Sequence, residues 1–134
     1  MYLSGLSNEQ KELFLDLAIF SMASDGVIEE REKSVAQQYC NEMQIEFRTT
    51  TNFSSYVDVI KKLKEISSES DLKKVTFEFV ALMYTDDNFA DEEEKLLRCI
   101  QEYFGFSSHL MGELVFVSRH TLLSYRMIEN VVKN

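Results

Sequence analysis

A chain of 134 residues with 45% hydrophobic and 28% charged residues has the size and composition of one soluble globular domain. Its formal charge of -9 disfavours binding to nucleic-acid phosphates and favours metal cations or a protein partner with a basic surface. Proline is absent and there are only 4 glycines, which favours long helices over a turn-rich β fold.

Hydrophobic periodicity predicts a series of helices separated by short polar loops. In chain order they cover about residues 7–24, 29–43, 54–67, 71–85 and 90–104, followed by one long helix or two shorter ones within about 107–133. Ser7 and Gln10 have the spacing of a capping box, and Gly105 has the usual position after a helix end. Gly112 and the region near Ser118 are the places where the last helix would break. The pattern predicts an all-α, single-domain bundle of about six or seven helices.

No segment has the features of an export signal or a membrane span. The N-terminal sequence MYLSGLSNEQ lacks a charged region followed by an apolar one, and the apolar run LFLDLAIFSMA is too short to cross a bilayer. We therefore expect a cytoplasmic protein without membrane insertion. Cys40 and Cys99 lack metal-binding spacing, as do His109 and His120, so reduced thiols and ordinary imidazoles are expected.

The first half of the chain is similar to the second when it is moved by 61 residues (86 minus 25). This offset places MASDGVIEERE over MYTDDNFADEE, with Asp25 over Asp86 and Glu32 over Glu93. An offset of 62 aligns two lysines but breaks the apolar register of the second and fifth helices. The sequence therefore predicts two helix-loop-helix pseudo-repeats, at about residues 7–44 and 70–105, with a linker helix at about 54–67.

One glutamate in each repeat lies on an otherwise apolar helix face. Glu32 falls between Ile28 and Val35 on the inward face of the second helix, and Glu93 has the same place in the fifth. An unpaired ionised carboxylate there would be destabilising, so each needs a partner. Three arrangements provide one: backbone N–H groups of the preceding turn, a lysine or arginine, or a cation shared with the aspartate of that turn.

The third arrangement predicts a metal site. If the two halves bring equivalent side chains together, Asp25, Glu32, Asp86 and Glu93 form one cluster of four carboxylates. Oxygen-only ligands favour Ca²⁺, Mg²⁺ or Mn²⁺ over Zn²⁺. An EF-hand is not favoured, because its first two ligand positions fall on residues without carboxylates in both copies.

The pattern A-x-D-G-x-I-x-x-x-E occurs at Ala23, Asp25, Gly26, Ile28 and Glu32. With its second copy it resembles the TerB-like domain of bacterial tellurite-resistance proteins, and a related domain of a membrane-anchored co-chaperone, over roughly residues 7–106. The resemblance implies a two-repeat helical bundle whose acidic turns bind divalent cations or form an interaction surface. It points to Asp25 and Glu32 and to Asp86 and Glu93, although the second copy has an aspartate in place of the motif glycine.

We therefore expect a cytosolic, non-enzymatic domain that binds a divalent cation or a protein partner through its acidic turns, with the stress-related role that the resemblance implies. The alternative is a structural interaction or scaffold module whose carboxylates cap helices. A carboxylate-metal hydrolase is less favoured, because the sequence has no paired histidine ligands, nucleophile motif or glycine-rich phosphate loop. The oligomeric state stays open, since the segment LVFVSRHTLLSYRMI either covers the core or forms a dimer face.

Overall fold

The computed structural model describes residues 1–23, 28–84 and 91–133. A short 3₁₀ turn at Leu3–Gly5 precedes the helices α1 (Asn8–Met22), α2 (Glu30–Met43), α3 (Tyr56–Ile66), α4 (Glu69–Met83), α5 (Asp91–Phe104) and α6 (Ser108–Lys133). These residues contain no strand, and the helices form a single bundle. The all-α fold that the sequence predicts is confirmed.

Local capping explains where the helices begin. The Ser7 hydroxyl accepts a hydrogen bond from Gln10 N–H at 3.1 Å, and the Gln10 side chain accepts one from Ser7 N–H at 2.9 Å, so the predicted capping box is present. α4 begins two residues before its predicted start at Asp71, because the Ser68 hydroxyl accepts a hydrogen bond from Asp71 N–H at 3.1 Å. α6 is a single helix, and Gly112 lies inside it without interrupting it.

The boundaries of the helices repeat with the offset of 61 residues. α4 begins and ends 61 residues after α1 (69 minus 8 and 83 minus 22), and α5 does so after α2 (91 minus 30 and 104 minus 43). The residues that follow α2 and α5, Gln44 and Gly105, both have left-handed backbone conformations with φ of 59° and 73°. The structure therefore has the internal repeat in the register that the sequence predicts.

The repeat includes a third helix in each half. α3 packs on α1 as α6 packs on α4, and their inward-facing residues match with an offset of 55: Tyr56 with Met111, Val59 with Leu114, Ile60 with Val115, and Leu63 with Ser118. The offset is smaller than 61 because the connection before α3 is longer: residues 44–55 separate α2 from α3, whereas only residues 105–107 separate α5 from α6. α3 ends at Ile66, the counterpart of Thr121, so residues 122–133 of α6 have no equivalent in the first half. We call residues 122–133 the α6 extension.

Equivalent residues meet near both ends of α1 and α4. The Gln10 amide donates to the Asp71 carboxylate at 3.2 Å near the helix starts, and Met22 and Met83 line one cavity at the helix ends. α1 and α4 therefore run side by side in the same direction, as in two units related by an approximate twofold axis. Both are largely buried, and Phe14 of α1 contacts Phe79 of α4 edge to face with 6.4 Å between ring centroids.

Within the described ranges, no helix combines the length and the apolar character that a membrane span needs.

Candidate functional site

Glu32 and Glu93 line the same small cavity between the two halves. Each is the third residue of its helix, α2 or α5, and the last residues of α1 and α4 form the opposite wall. Six of the described lining residues form three pairs with the offset of 61: Ser21 with Leu82, Met22 with Met83, and Glu32 with Glu93. The repeat thus brings together the two glutamates that are 61 residues apart in the sequence.

The cavity has a volume of about 30 Å³. This is enough for a water molecule or a metal ion, because a single water needs roughly 10–15 Å³ of such space. Sites for small organic molecules occupy roughly 300–1,000 Å³. The cavity is therefore the size of an ion site rather than that of a substrate pocket.

Glu32 accepts a hydrogen bond at the start of α2. Its Oε1 atom receives the N–H of Glu29 at 3.2 Å, which is the first of the three arrangements that the sequence predicts. The positive end of the α2 dipole also favours an ionised carboxylate at this position.

Glu93 is approached from the neighbouring helix α1. The buried Ser21 hydroxyl donates to Glu93 Oε2 at 3.4 Å. The equivalent of Ser21 in the second half is Leu82, which has no hydroxyl group, so the two sides of the cavity differ chemically. Both glutamates are half-buried. The free-energy cost of keeping each side chain ionised is therefore lower than it would be for a fully buried position on an apolar face.

The other two predicted ligands, Asp25 and Asp86, lie outside the described residues. Among residues 1–23, 28–84 and 91–133, no three His, Cys, Asp or Glu side chains are grouped closely enough to hold a metal ion. Of the four residues predicted as ligands, Glu32 and Glu93 lie in the described part of the chain, and both line the small cavity.

Sequence reasoning missed a second acidic cavity, of about 330 Å³, between α2, α4 and α6. Glu78 is buried there and accepts the N–H of Tyr2 at 3.0 Å, and the α-amino group of Met1 contacts both Glu78 and Glu42. Burial, together with these carboxylates, raises the pKa of Tyr39, which keeps its hydroxyl neutral. The signal in the sequence was a glutamate inside the apolar run TFEFV. Since the α-amino group of Met1 already contacts these carboxylates, this cavity is the weaker ion-site candidate.

The other reactive residue types have ordinary surroundings. Cys40 and Cys99 are free thiols, and burial raises the pKa of each, so neither is an activated thiolate. His109 and His120 are exposed on α6, one beside a glutamate and the other stacked on Phe116. These positions agree with the expectation of reduced thiols and ordinary imidazoles.

The described polar side chains that line the small cavity are those of Ser21, Glu32 and Glu93, and each offers oxygen atoms. The cavity lies where the last residues of α1 and α4 meet the first turns of α2 and α5, so the opposite partial charges of these helix ends offset each other. Oxygen ligands of this kind suit Ca²⁺, Mg²⁺ or Mn²⁺. Neither a model of a known protein family nor a curated protein nor a solved structure matches the chain, so the functional argument depends on this geometry.

Proposed function

We propose that the protein is a cytosolic, non-enzymatic TerB-like module that binds a divalent cation between its two halves. Glu32 and Glu93 are the ligands in the described residues, and Asp25 and Asp86 complete the set from the acidic turns. The observation that carries the proposal is the cavity that Glu32 and Glu93 share. A stress-related role of the tellurite-resistance type follows from the resemblance of the duplicated motif alone.

The charges around the cavity support a cation. Two carboxylates facing one small space repel each other when both are ionised, and a divalent ion removes that repulsion. The negative ends of α1 and α4 and the positive ends of α2 and α5 meet at this cavity and offset each other, so the preference for a cation comes from the two carboxylates. A bound ion would also connect α2 to α5. Ion binding would in this way control the surface of the acidic turns, which a basic protein partner recognises.

Calorimetric titration of the metal-stripped protein with Ca²⁺, Mg²⁺ and Mn²⁺ tests the proposal. We expect one of the ions to bind and to raise the melting temperature, since an ion at 100 times its Kd stabilises the native state by about 2.7 kcal/mol. Glu32→Gln with Glu93→Gln keeps the side-chain shape and should abolish both effects. The matched control is Glu30→Gln with Glu94→Gln, because these glutamates lie in the same first turns and are 92% and 53% exposed.

The metal proposal is wrong if none of the three ions produces heat or a thermal shift in the wild-type protein. The alternative is then the structural module, which the hydrogen bond between Glu29 N–H and Glu32 specifically favours. In that case Glu32→Gln, which keeps an acceptor oxygen, should be nearly neutral. Glu32→Ala should cost about 0.5–2 kcal/mol of unfolding free energy, the range for loss of a helix cap.

A further inference from the structure

The larger cavity between α2, α4 and α6 combines two carboxylates with an apolar wall. Its volume of about 330 Å³ falls within the roughly 300–1,000 Å³ that small-molecule sites occupy. Glu42 of α2 and Glu78 of α4 lie close together in it, and the described lining residues include no lysine or arginine. Aliphatic and aromatic residues of all three helices form the wall, two of them from the α6 extension: Val35, Tyr39, Phe77, Ala81, Leu122 and Tyr125.

The equivalent place across the approximate twofold axis is packed differently. There α3 packs on α5, whereas the corresponding helices α6 and α2 have the cavity between them. The offset of 61 matches Ala81 with Phe20, whose ring packs edge to face on Tyr56 of α3 with 6.3 Å between ring centroids. The small side chain of Ala81 leaves room at the cavity wall. The cavity is therefore specific to one side of the molecule and does not follow from the repeat.

The two carboxylates are specific to the same side. With the offset of 61, the residue equivalent to Glu78 is Leu17, which is fully buried, and the residue equivalent to Glu42 is Tyr103. The side chain of Glu78 is itself only 5% exposed. Burying an ionised carboxylate costs free energy, and the fold accepts a leucine at the equivalent position. A buried carboxylate that the fold does not require, beside a cavity, indicates a binding role.

A primary ammonium group fits between these carboxylates. In the structure this group is the α-amino group of Met1, which contacts Glu42 and whose nitrogen lies 3.2 Å from Glu78 Oε1. Burial opposes its charge, but the hydrogen bonds and negative charges of the two carboxylates outweigh burial and raise its pKa. Met1 is 57% exposed and precedes the first helical turn, so the ammonium group of another molecule can take its place.

We propose that the cavity binds a small organic amine, whose ammonium group replaces that of Met1 between Glu42 and Glu78 and whose apolar body covers the cavity wall. Charge-assisted hydrogen bonds to the carboxylates hold the ammonium group. Glu42 and Glu78 are the only carboxylates among the described lining residues, so a polyamine would place a further charge against the apolar wall. An inorganic cation would leave that wall uncovered. The ligand is therefore a monocation with an aliphatic or aromatic body.

Titration of the full chain with 2-phenylethylamine and with hexylamine, followed by ¹H–¹⁵N NMR spectra, tests the proposal. We expect saturable shifts of the amide signals of the cavity residues. The neutral 2-phenylethanol has the same apolar body and should bind at least ~10-fold more weakly, because it lacks the charge that the carboxylates recognise. The proposal is overturned if neither amine saturates below about 10 mM, if the alcohol binds equally well, or if the shifts lie away from the cavity.

Two variants separate the ammonium site from the apolar wall. Glu42→Gln removes one carboxylate whose side chain is 34% exposed, so the fold should persist, and amine binding should weaken at least ~10-fold. Ala81→Phe introduces the residue type of its counterpart Phe20 and should block the cavity while both carboxylates stay. The matched control is Glu46→Gln, which removes the same charge from an exposed residue outside the cavity and should leave binding unchanged. Equal weakening by Glu42→Gln and Glu46→Gln, or unchanged binding after Ala81→Phe, would overturn the proposal.

Discussion

Arg48 connects the loop before α3 to the buried helix α1, and its removal should be strongly destabilising. Its Nη1 atom donates to Asp16 Oδ1 at 2.7 Å and to the carbonyl of Thr50 at 2.6 Å. Its Nη2 atom donates to the side chain and the carbonyl of Glu12 at 2.9 Å and 3.2 Å. Burial opposes the charge of the guanidinium, but these carboxylates outweigh it and raise the pKa of Arg48.

The magnitude follows from the exposure of the two partners. The Asp16 side chain is only 6% exposed, so Arg48→Ala leaves a nearly buried charge without its guanidinium partner. Breaking a fully buried pair costs about 3–5 kcal/mol. Arg48 itself is 30% exposed, so water can partly replace it, and we expect a loss of about 2–4 kcal/mol. For a domain of this size that lowers the melting temperature by roughly 10 °C.

Urea denaturation followed by circular dichroism measures this loss. Arg48→Lys keeps the charge but not the forked geometry, so its cost should be intermediate. Asp16→Asn combined with Arg48→Ala should cost less than the sum of the two single changes, because the buried charge is gone. The matched control is Arg98→Ala, which removes an arginine that is 75% exposed and paired with Glu94 on the surface.

The control should lose less than about 1 kcal/mol, as surface ion pairs do. If Arg48→Ala costs no more than Arg98→Ala, the reasoning from burial is refuted. If Asp16→Asn fails to compensate for Arg48→Ala, the stabilisation comes instead from the contacts of Arg48 with Glu12 and with the carbonyl of Thr50.

Three further predictions concern stability and use the same assay. Gln44→Gly should stabilise the protein by about 0.5–1 kcal/mol and Gly105→Gln should destabilise it by a similar amount, because both positions have positive φ. Burial raises the pKa of Cys40 and Cys99 above the ordinary value of 9.0, so the folded state favours the neutral thiols. The contribution of the two thiols to the free energy of unfolding is therefore fully present below pH 9.0 and is lost as the pH rises through the folded pKa values. The unfolding free energy should therefore fall above about pH 9, with a shallower slope after Cys40→Ala with Cys99→Ala. Ser118→Ala should cost about 1 kcal/mol, since this buried hydroxyl donates to a main-chain carbonyl of α4 at 2.9 Å.

The helices could be predicted from the sequence because their boundaries are determined locally. Ser7 and Gln10 form a capping box from neighbouring residues alone, and periodicity gives the buried face of each helix. The start of α4 was missed by two residues, because any of several serines could have been its cap. The continuity of α6 stayed open, since a glycine weakens a helix without necessarily ending it.

The candidate site could be predicted only as far as the repeat extends. The offset of 61 identified Glu32 and Glu93 as equivalent, and the structure places them on one cavity. The contact of Ser21 with Glu93 could not be foreseen, because its partner is 72 residues away and the equivalent residue is a leucine. The same holds for Arg48, which lies in a loop without periodicity and reaches a helix that begins 40 residues earlier (48 minus 8).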